Sequence, residues 1–313
     1  MNLPVHLGLD IGGTASRYVL CDGDGKEVAR GKVSGATGHV FNPAEKEKLR
    51  RALLAVAAEL ANADYAIASV TAGLTGFGAA VADEVRGLIG GAFATDADRI
   101  VVIDDIVLAY LANFAPGEGH LISAGTGSIG VHIGADGSFT RVGGRGILID
   151  DGGSGGWIAL RALDRIYRVL DQEGHFGPVQ MLAQHLLQQV GGADWSDVRQ
   201  FVYAGDRGRI GTLAVAVAKA AQAGDRTAED ILRQAGVELA RLAHALVTRV
   251  GERPIGFIGG VLSLHPVIAE EIHRALGERE VRMLGADASL MAARLQAGGN
   301  EAWLMALAAM QAR

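Results

Sequence analysis

The sequence predicts an α/β protein made of two similarly built domains. Three observations carry this expectation. The chain has 313 residues, roughly two domains at about 150 residues each. Its first third alternates short β-branched-rich runs with runs of helical period, the pattern of layered α/β folds. A strand-turn-strand element near the start recurs 112 positions later.

Taken in order, Leu7-Gly-Leu-Asp-Ile-Gly-Gly-Thr14 reads as a buried strand ending in a tight turn, and Arg17 to Cys21 as the strand that returns. Asp22-Gly-Asp-Gly25 turns the chain again, a short-loop hairpin signal. From Asn42 to Leu60, residues Leu49, Leu53, Val56 and Leu60 recur at helical spacing behind the charged run Glu45 to Lys48. Ala66 to Thr71 and Ile100 to Ile103 are short strands, and Asp105 to Phe114 returns to helix. Leu121 to Ala124 opens a new strand, Gly125 to Ser128 turns it, Val131 to Ile133 runs back, and Asp136-Gly137 turns once more. Gly155 to Leu170 and Ala228 to Val250 read as helices. Ile255 to Ile258 is a last strand before Gly259-Gly260, and Pro266 suits the first turn of the helix that follows.

The 112-residue shift lays Gly13-Thr14-Ala15-Ser16 on Gly125-Thr126-Gly127-Ser128, and Asp24-Gly25 on Asp136-Gly137. That spacing is a domain's, not a solenoid repeat's. Pro116 and two glycines separate helix from strand between Phe114 and Gly119. The expected domains are therefore 1–116 and 117–313, with the last helix able to pack back on the first.

Composition narrows the function. Twenty-nine basic against 35 acidic residues leave a net charge of −6, which argues against nucleic acid or an anionic membrane bound by bulk electrostatics. The single Cys21 makes no internal disulfide and no multi-cysteine zinc site, so a reducing, cytoplasmic setting is expected. Met1 to Leu9 carries no basic leader region. The uncharged stretch Tyr65 to Ala82 is interrupted by Ser69, Thr71, Gly73, Thr75, Gly76 and Gly78, so it reads as strand and loop, not membrane span. Glycine, 45 residues, is roughly twice its usual share of about 7%. An apolar, non-repetitive chain this rich in glycine is expected to let its backbone approach a ligand in several places.

Backbone N–H groups of a glycine turn form a concave anion site, to which a Thr or Ser hydroxyl adds a donor. Either turn alone reads as a hairpin turn. As a pair at equivalent places in two domains, Gly12-Gly13-Thr14 and Gly125-Thr126-Gly127-Ser128 suit the phosphates of one nucleotide. Asp10 ends the first strand immediately before its turn, where a carboxylate can hold Mg²⁺ directly or through water. Asp104-Asp105 stands at the carboxyl end of a strand and the start of a helix, where open α/β sheets place ligands. Asp is also a favoured helix cap, and for one of these two capping is the expected role. Asp150-Asp151 lies within Gly143-Gly-Arg-Gly-Ile-Leu-Ile-Asp-Asp-Gly-Gly-Ser154, a third acidic turn among glycines.

Other motifs fail on context. Gly125 to Gly130 spells the dinucleotide fingerprint, which requires a helix to begin inside it. Val131-His132-Ile133 alternates and meets a turn too soon for a crossover helix. The nine histidines form no HExxH or HxxxH pair, which argues against zinc. Gly152-Gly-Ser-Gly-Gly156 spells a nucleophile elbow, a cheap match in so glycine-rich a chain.

These residues resemble the superfamily of sugar kinases, heat-shock chaperones and actin, and within it the BadF/BadG/BcrA/BcrD type, which includes N-acetylglucosamine and bacterial glucosamine kinases. Leu7 to Thr14 resembles the family's first phosphate motif, Leu121 to Ser128 the second, and Phe257 to Val261 the adenosine motif. Ala223 to Leu232 is similar to its helical segment beside the base, and Gly143 to Ser154 to the hexosamine kinases' GGWG…GDEGS stretch. The resemblance implies a two-domain actin-like ATPase (ribonuclease H-like) fold with a nucleotide cleft between domains. It also implies an ATP- and Mg²⁺-dependent kinase that phosphorylates a hydroxyl, O6, of N-acetylglucosamine or glucosamine, in a cytoplasmic homodimer. It assigns Asp105 as the catalytic carboxylate and Asp104, Gly143, Gly144 and Asp151 to the sugar. Gly224, Gly259 and Gly260 join the two turns in holding the nucleotide. The chain departs from the family pattern at Gly38, Arg145, Asp150 and Gly152, which leaves the acceptor sugar open. The family's dehydratase activators need two cysteines per subunit for a shared iron–sulfur cluster, which Cys21 alone cannot supply, and the ROK kinases' cysteine-rich zinc motif has no counterpart here. The competing function is a nucleotide-driven conformational switch acting on a protein partner, without an iron–sulfur cluster.

Overall fold

The computed structural model describes residues 3–61, 63, 65–204 and 207–311; Met1 and Asn2, the start of the Met1–Leu9 stretch, lie outside them. In chain order the elements are β1 (Leu3–Ile11), β2 (Ala15–Cys21), β3 (Glu27–Ser34), α1 (Pro43–Leu60), β4 (Tyr65–Leu74), α2 (Ala82–Phe93), β5 (Ile100–Asp104) and α3 (Asp105–Asn113). Then follow β6 (His120–Ala124), β7 (Ser128–Ile133), β8 (Phe139–Gly143), α4 (Gly155–Glu173), α5 (Gln180–Val190), α6 (Trp195–Tyr203), α7 (Arg207–Gly211), α8 (Leu213–Gln222) and α9 (Arg226–Val250). The chain closes with β9 (Ile255–Ile258), α10 (Pro266–Leu276), β10 (Val281–Met283), α11 (Ala288–Leu295) and α12 (Glu301–Gln311).

Two compact units result: Met1–Gly117 with Ile133–Phe139 and Ala286–Arg313, and Glu118–His132 with Thr140–Gly285. The first unit is built on a sheet of order β3-β2-β1-β4-β5. β1 pairs antiparallel with β2 and parallel with β4, and β4 pairs parallel with β5. Val5, Leu7, Leu9 and Ile11 alternate onto one face of β1, where they join Leu49, Leu53 and Val56 of α1 and Val85 and Ile89 of α2 in one buried cluster. The opposite face carries Val19 and Cys21, packed on Ala293 of α11. Trp303 of α12 donates its indole N–H to Phe114 O at 3.2 Å and meets the Tyr110 ring edge-on, anchoring the C-terminal helix within this unit.

The second unit repeats the plan. Its sheet runs β8-β7-β6-β9-β10, so in both sheets the first strand is central, the second and third continue on one side, and two parallel strands follow on the other. The repeat read from the sequence is thus a repeat of topology. Its register is more specific than one shift describes. Ile11 faces Ser16 across the first hairpin and Ala124 faces Ser128 across the second, so the second turn is one residue shorter, and the strand ahead of it aligns at a shift of 113. Asp10 therefore corresponds to Ser123. Two alternatives end here: Gly130 lies inside strand β7, which removes the dinucleotide fold, and the hydroxyl of Ser154 is fully buried as the N-cap of α4, accepting from Trp157 N at 3.1 Å, which removes the nucleophile elbow.

Candidate functional site

In the first unit the first turn, Asp10 and Asp105 come together at the carboxyl ends of three strands. Gly12 N donates to Ala15 O at 3.2 Å, closing the turn, and Gly13 and Thr14 stand exposed at its tip. A β-carbon at Gly13 would meet nothing closer than the Thr37 methyl at 3.9 Å. The protein's own packing leaves room for a side chain there, so packing does not require the bare backbone. Asp10 faces Arg17 across the β1–β2 ladder at 3.5 Å. Burial pushes its carboxyl above the usual range and the Arg17 guanidinium opposes that, while the charges of Asp105 and Asp287 push it up further. Three carboxylates therefore share one neighbourhood.

Asp104 and Asp105 are held differently. The Asp104 carboxylate caps α3, accepting from Ile106 N at 3.2 Å, which is the capping role expected for one of the pair. Asp105, at the first position of α3, accepts a 2.6 Å hydrogen bond from the Thr75 hydroxyl through Oδ2. Thr75 follows the last residue of β4 and lies beside the turn: its Oγ1 is 3.9 Å from where a β-carbon of Gly12 would stand. The Ser16 hydroxyl, directly after the turn, is buried without a hydrogen-bond partner.

In the second unit, the turn Gly125 to Ser128 is fastened to the Gly143–Ser154 stretch. Gly125 O accepts from Gly155 N at 2.9 Å, Thr126 O from Gly156 N at 3.2 Å, and Ser128 Oγ donates to Gly152 O at 2.7 Å. The carbonyls of the turn are thereby occupied by the first amides of α4. Asp151 is buried and holds φ +66°, a left-handed conformation that is costly for a residue with a side chain. Its Oδ1 accepts from Gly146 N at 3.3 Å and its Oδ2 lies 2.9 Å from where a β-carbon of Gly127 would stand. Gly259, at φ +113°, lets the end of β9 press on Ala124 O; a β-carbon there would overlap that carbonyl. Gly260 beside it is open. Asp151 and Gly259 thus lie against the second turn and the strand residue before it, Gly144 lies against Ile129 just after it, Gly143 faces Leu242, and Gly224, at φ +97°, reverses the chain between α8 and α9.

Several departures from the family pattern acquire a physical account. The Oε2 of Glu238 in α9 lies 2.6 Å from where a β-carbon of Gly152 would stand, so a side chain there would displace that carboxylate. Arg145, largely exposed, pairs at 3.5 Å with Asp150, which Arg241 of α9 also meets at 3.5 Å. Glu238 and Arg241 in turn pair at 2.8 Å. They line a cavity of about 450 Å³ with Ile149, Trp157 and Arg161. Sequence reasoning missed Thr75, Glu238 and Asp287. Thr75 was within reach, because Leu74-Thr75-Gly76 punctuates the carboxyl end of a strand as Asp10 and Asp104 do.

Among the described residues no group of three or more His, Cys, Asp or Glu side chains is arranged to hold a metal alone. Magnesium takes one or two carboxylates together with phosphate oxygens and water. The half-buried Asp10, already crowded by two further carboxylates, has the donor chemistry for a cation that arrives on phosphates.

Two like-built α/β units, each presenting a glycine turn after its first strand, define the actin-like ATPase class of fold. The BadF/BadG/BcrA/BcrD ATPase family profile matches residues 7–292, and the chain belongs to that family. It is 24% identical over 300 residues to N-acetyl-D-glucosamine kinase of Dictyostelium discoideum, covering 89% of this chain and 92% of the relative. It is 28% identical over 151 residues to an N-acetylmuramic acid/N-acetylglucosamine kinase of Clostridium acetobutylicum, covering 48% of each. In fold it matches a candidate N-acetylglucosamine kinase from Porphyromonas gingivalis at TM-score 0.73 and 19% identity, over 94% of this chain and 99% of that one. It also matches a ROK glucokinase from Streptomyces griseus solved with glucose and AMPPNP, at TM-score 0.55 and 18% identity, over 93% and 98% of the two chains. Among the described residues, no helix is long and apolar enough to cross a membrane.

Proposed function

We propose that the protein is an ATP- and Mg²⁺-dependent kinase that phosphorylates the O6 hydroxyl of N-acetylglucosamine or glucosamine, acting in the cytoplasm as a homodimer. The observation that carries this reading is the placement of Asp105, held by Thr75, beside the turn that follows Asp10. A kinase needs a carboxylate at the acceptor hydroxyl and anion-binding backbone at the phosphates, and the first unit supplies both within a few residues. Similarity over most of the chain to an N-acetylglucosamine kinase supports the choice of substrate class.

In this reading Gly12, Gly13 and Thr14, with Gly125 to Ser128, bind the phosphates, and Gly224, Gly259 and Gly260 border the nucleoside, Gly224 and Gly260 with open backbone. Asp104, Gly143, Gly144 and Asp151 contact the sugar, and Asp10 would hold magnesium, which supplies charge neutralisation on the phosphates when bound. As the acceptor oxygen forms its bond to the γ-phosphorus, its proton passes to Asp105 Oδ1, the bond to the β–γ bridging oxygen breaks, and ADP leaves. Such a base contributes about 10²- to 10⁴-fold.

The test is ADP release over a panel of hexoses, hexosamines and their N-acetyl forms, with wild type and Asp105→Asn. Sugar-stimulated turnover in wild type, lost in the variant while nucleotide binding persists, supports the reading. No stimulation by any sugar would favour the conformational switch, and full turnover in Asp105→Asn would remove the mechanism. Sedimentation of the purified chain tests the dimer.

A further inference from the structure

Thr75 is wired at three points, and each leads to a different part of the first unit. Its amide donates to Ile11 O at 3.0 Å, at the end of β1 and the start of the phosphate turn. Its carbonyl accepts from Gly38 N at 2.9 Å, in the segment that follows β3. Its hydroxyl donates to Asp105 Oδ2 at 2.6 Å. The backbone contacts fix where the hydroxyl points, and the hydroxyl fixes one of the two carboxylate oxygens. Among the described residues no side-chain donor other than Thr75 engages that carboxylate.

We infer that Thr75 is the positioning residue of Asp105: it ties down Oδ2 so that Oδ1 faces the acceptor hydroxyl, and couples that orientation to the turn at Gly12 and to the segment at Gly38. The inference rests on the kinase reading above. A carboxylate free to rotate about its χ2 spreads over many orientations, and a base acts only within hydrogen-bond reach of the proton it takes. A neutral hydroxyl donating to a charged oxygen is among the stronger hydrogen bonds. Removing it should therefore lower the rate of the chemical step and leave nucleotide binding alone.

The experiment compares Thr75→Val, Thr75→Ser and Asp105→Asn in the full chain. Active sites are counted by titration with a fluorescent ATP analogue, so that a loss of folded protein is divided out. The expected result is a kcat about 10- to 100-fold down in Thr75→Val, an unchanged KM for ATP, and recovery to within about 3-fold of wild type in Thr75→Ser, which keeps the donor. Thr75→Val with wild-type kcat while Asp105→Asn is inactive would overturn the inference and leave the kinase reading standing. So would Thr75→Ser as slow as Thr75→Val. An active Asp105→Asn would instead remove the reading on which the inference depends. If Thr75→Val yields no folded protein, the Ser variant and Thr75→Ala decide by the same ratio.

Discussion

Gly8, in the central strand of the first unit, lies against the backbone of Ala293 in α11, and a β-carbon at position 8 would stand 2.9 Å from the Ala293 α-carbon and overlap its amide nitrogen and Ser289 O. The neighbours are backbone atoms of a helix, so none can rotate out of the way. Gly8→Ala should destabilise the first unit by roughly 1–3 kcal/mol, toward the upper end, because overpacking here displaces a whole helix. Chemical denaturation of wild type and variant measures this. An unchanged midpoint would mean that α11 does not dock on β1 as described.

That contact also marks the border of what the sequence could show. The Leu7–Thr14 strand and turn, the hairpin after it, and the α1, α4 and α9 helices were legible because alternation, helical period and glycine punctuation are local signals. That Asp10 and the pair Asp104-Asp105 stand at strand ends was legible from the residues, while the choice of Asp105 within the pair came from the family resemblance. The docking of Gly8 on Ala293, the hold of Thr75 on Asp105 and the Glu238 carboxylate over Gly152 join residues far apart in the chain. No local pattern encodes such partners; they arise from which strands pair and which helices pack on them. The one-residue difference between the two turns was hidden for a related reason, since only pairing across each hairpin reveals it.

The second unit should lose stability in mild acid through His120. The ring is fully buried, its Nε2 donates to Gly251 O at 2.9 Å, and Nδ1 has no partner. Burial holds its pKa below the ordinary value, and the neighbouring His132 adds to the effect. Protonation would place a second N–H in the core with no acceptor. Because the folded pKa is the lower one, the unfolded chain binds the proton first, and stability falls as pH drops below the unfolded value of about 6.5. While the folded ring stays neutral the loss approaches about 1.4 kcal/mol per pH unit. His6, whose pKa burial also lowers, contributes the same sign from the first unit. Tm should therefore fall from pH 7.5 to 5.5 in wild type and more shallowly in His120→Gln. Parallel curves would refute the assignment to His120.

Two glycines on the second turn's side should respond oppositely to alanine, and the contrast separates a backbone bared for a ligand from one bared for packing. Around Gly125 nothing lies within 4 Å of the β-carbon position and φ is not positive, so alanine costs the fold little. If the turn binds phosphate, a methyl group there intrudes where the ligand approaches, and nucleotide affinity should fall about 10-fold, the equivalent of roughly 1.4 kcal/mol. Gly259 combines φ +113° with a β-carbon position overlapping Ala124 O, so Gly259→Ala strains the backbone and separates β9 from β6. Its Tm should drop, by roughly 2–4 °C for each kcal/mol lost. Calorimetric titration with ATP and thermal melts of both variants read the two effects separately. Equal affinity in wild type and Gly125→Ala would show that the open turn is not where the phosphates bind, whatever the fold of the unit.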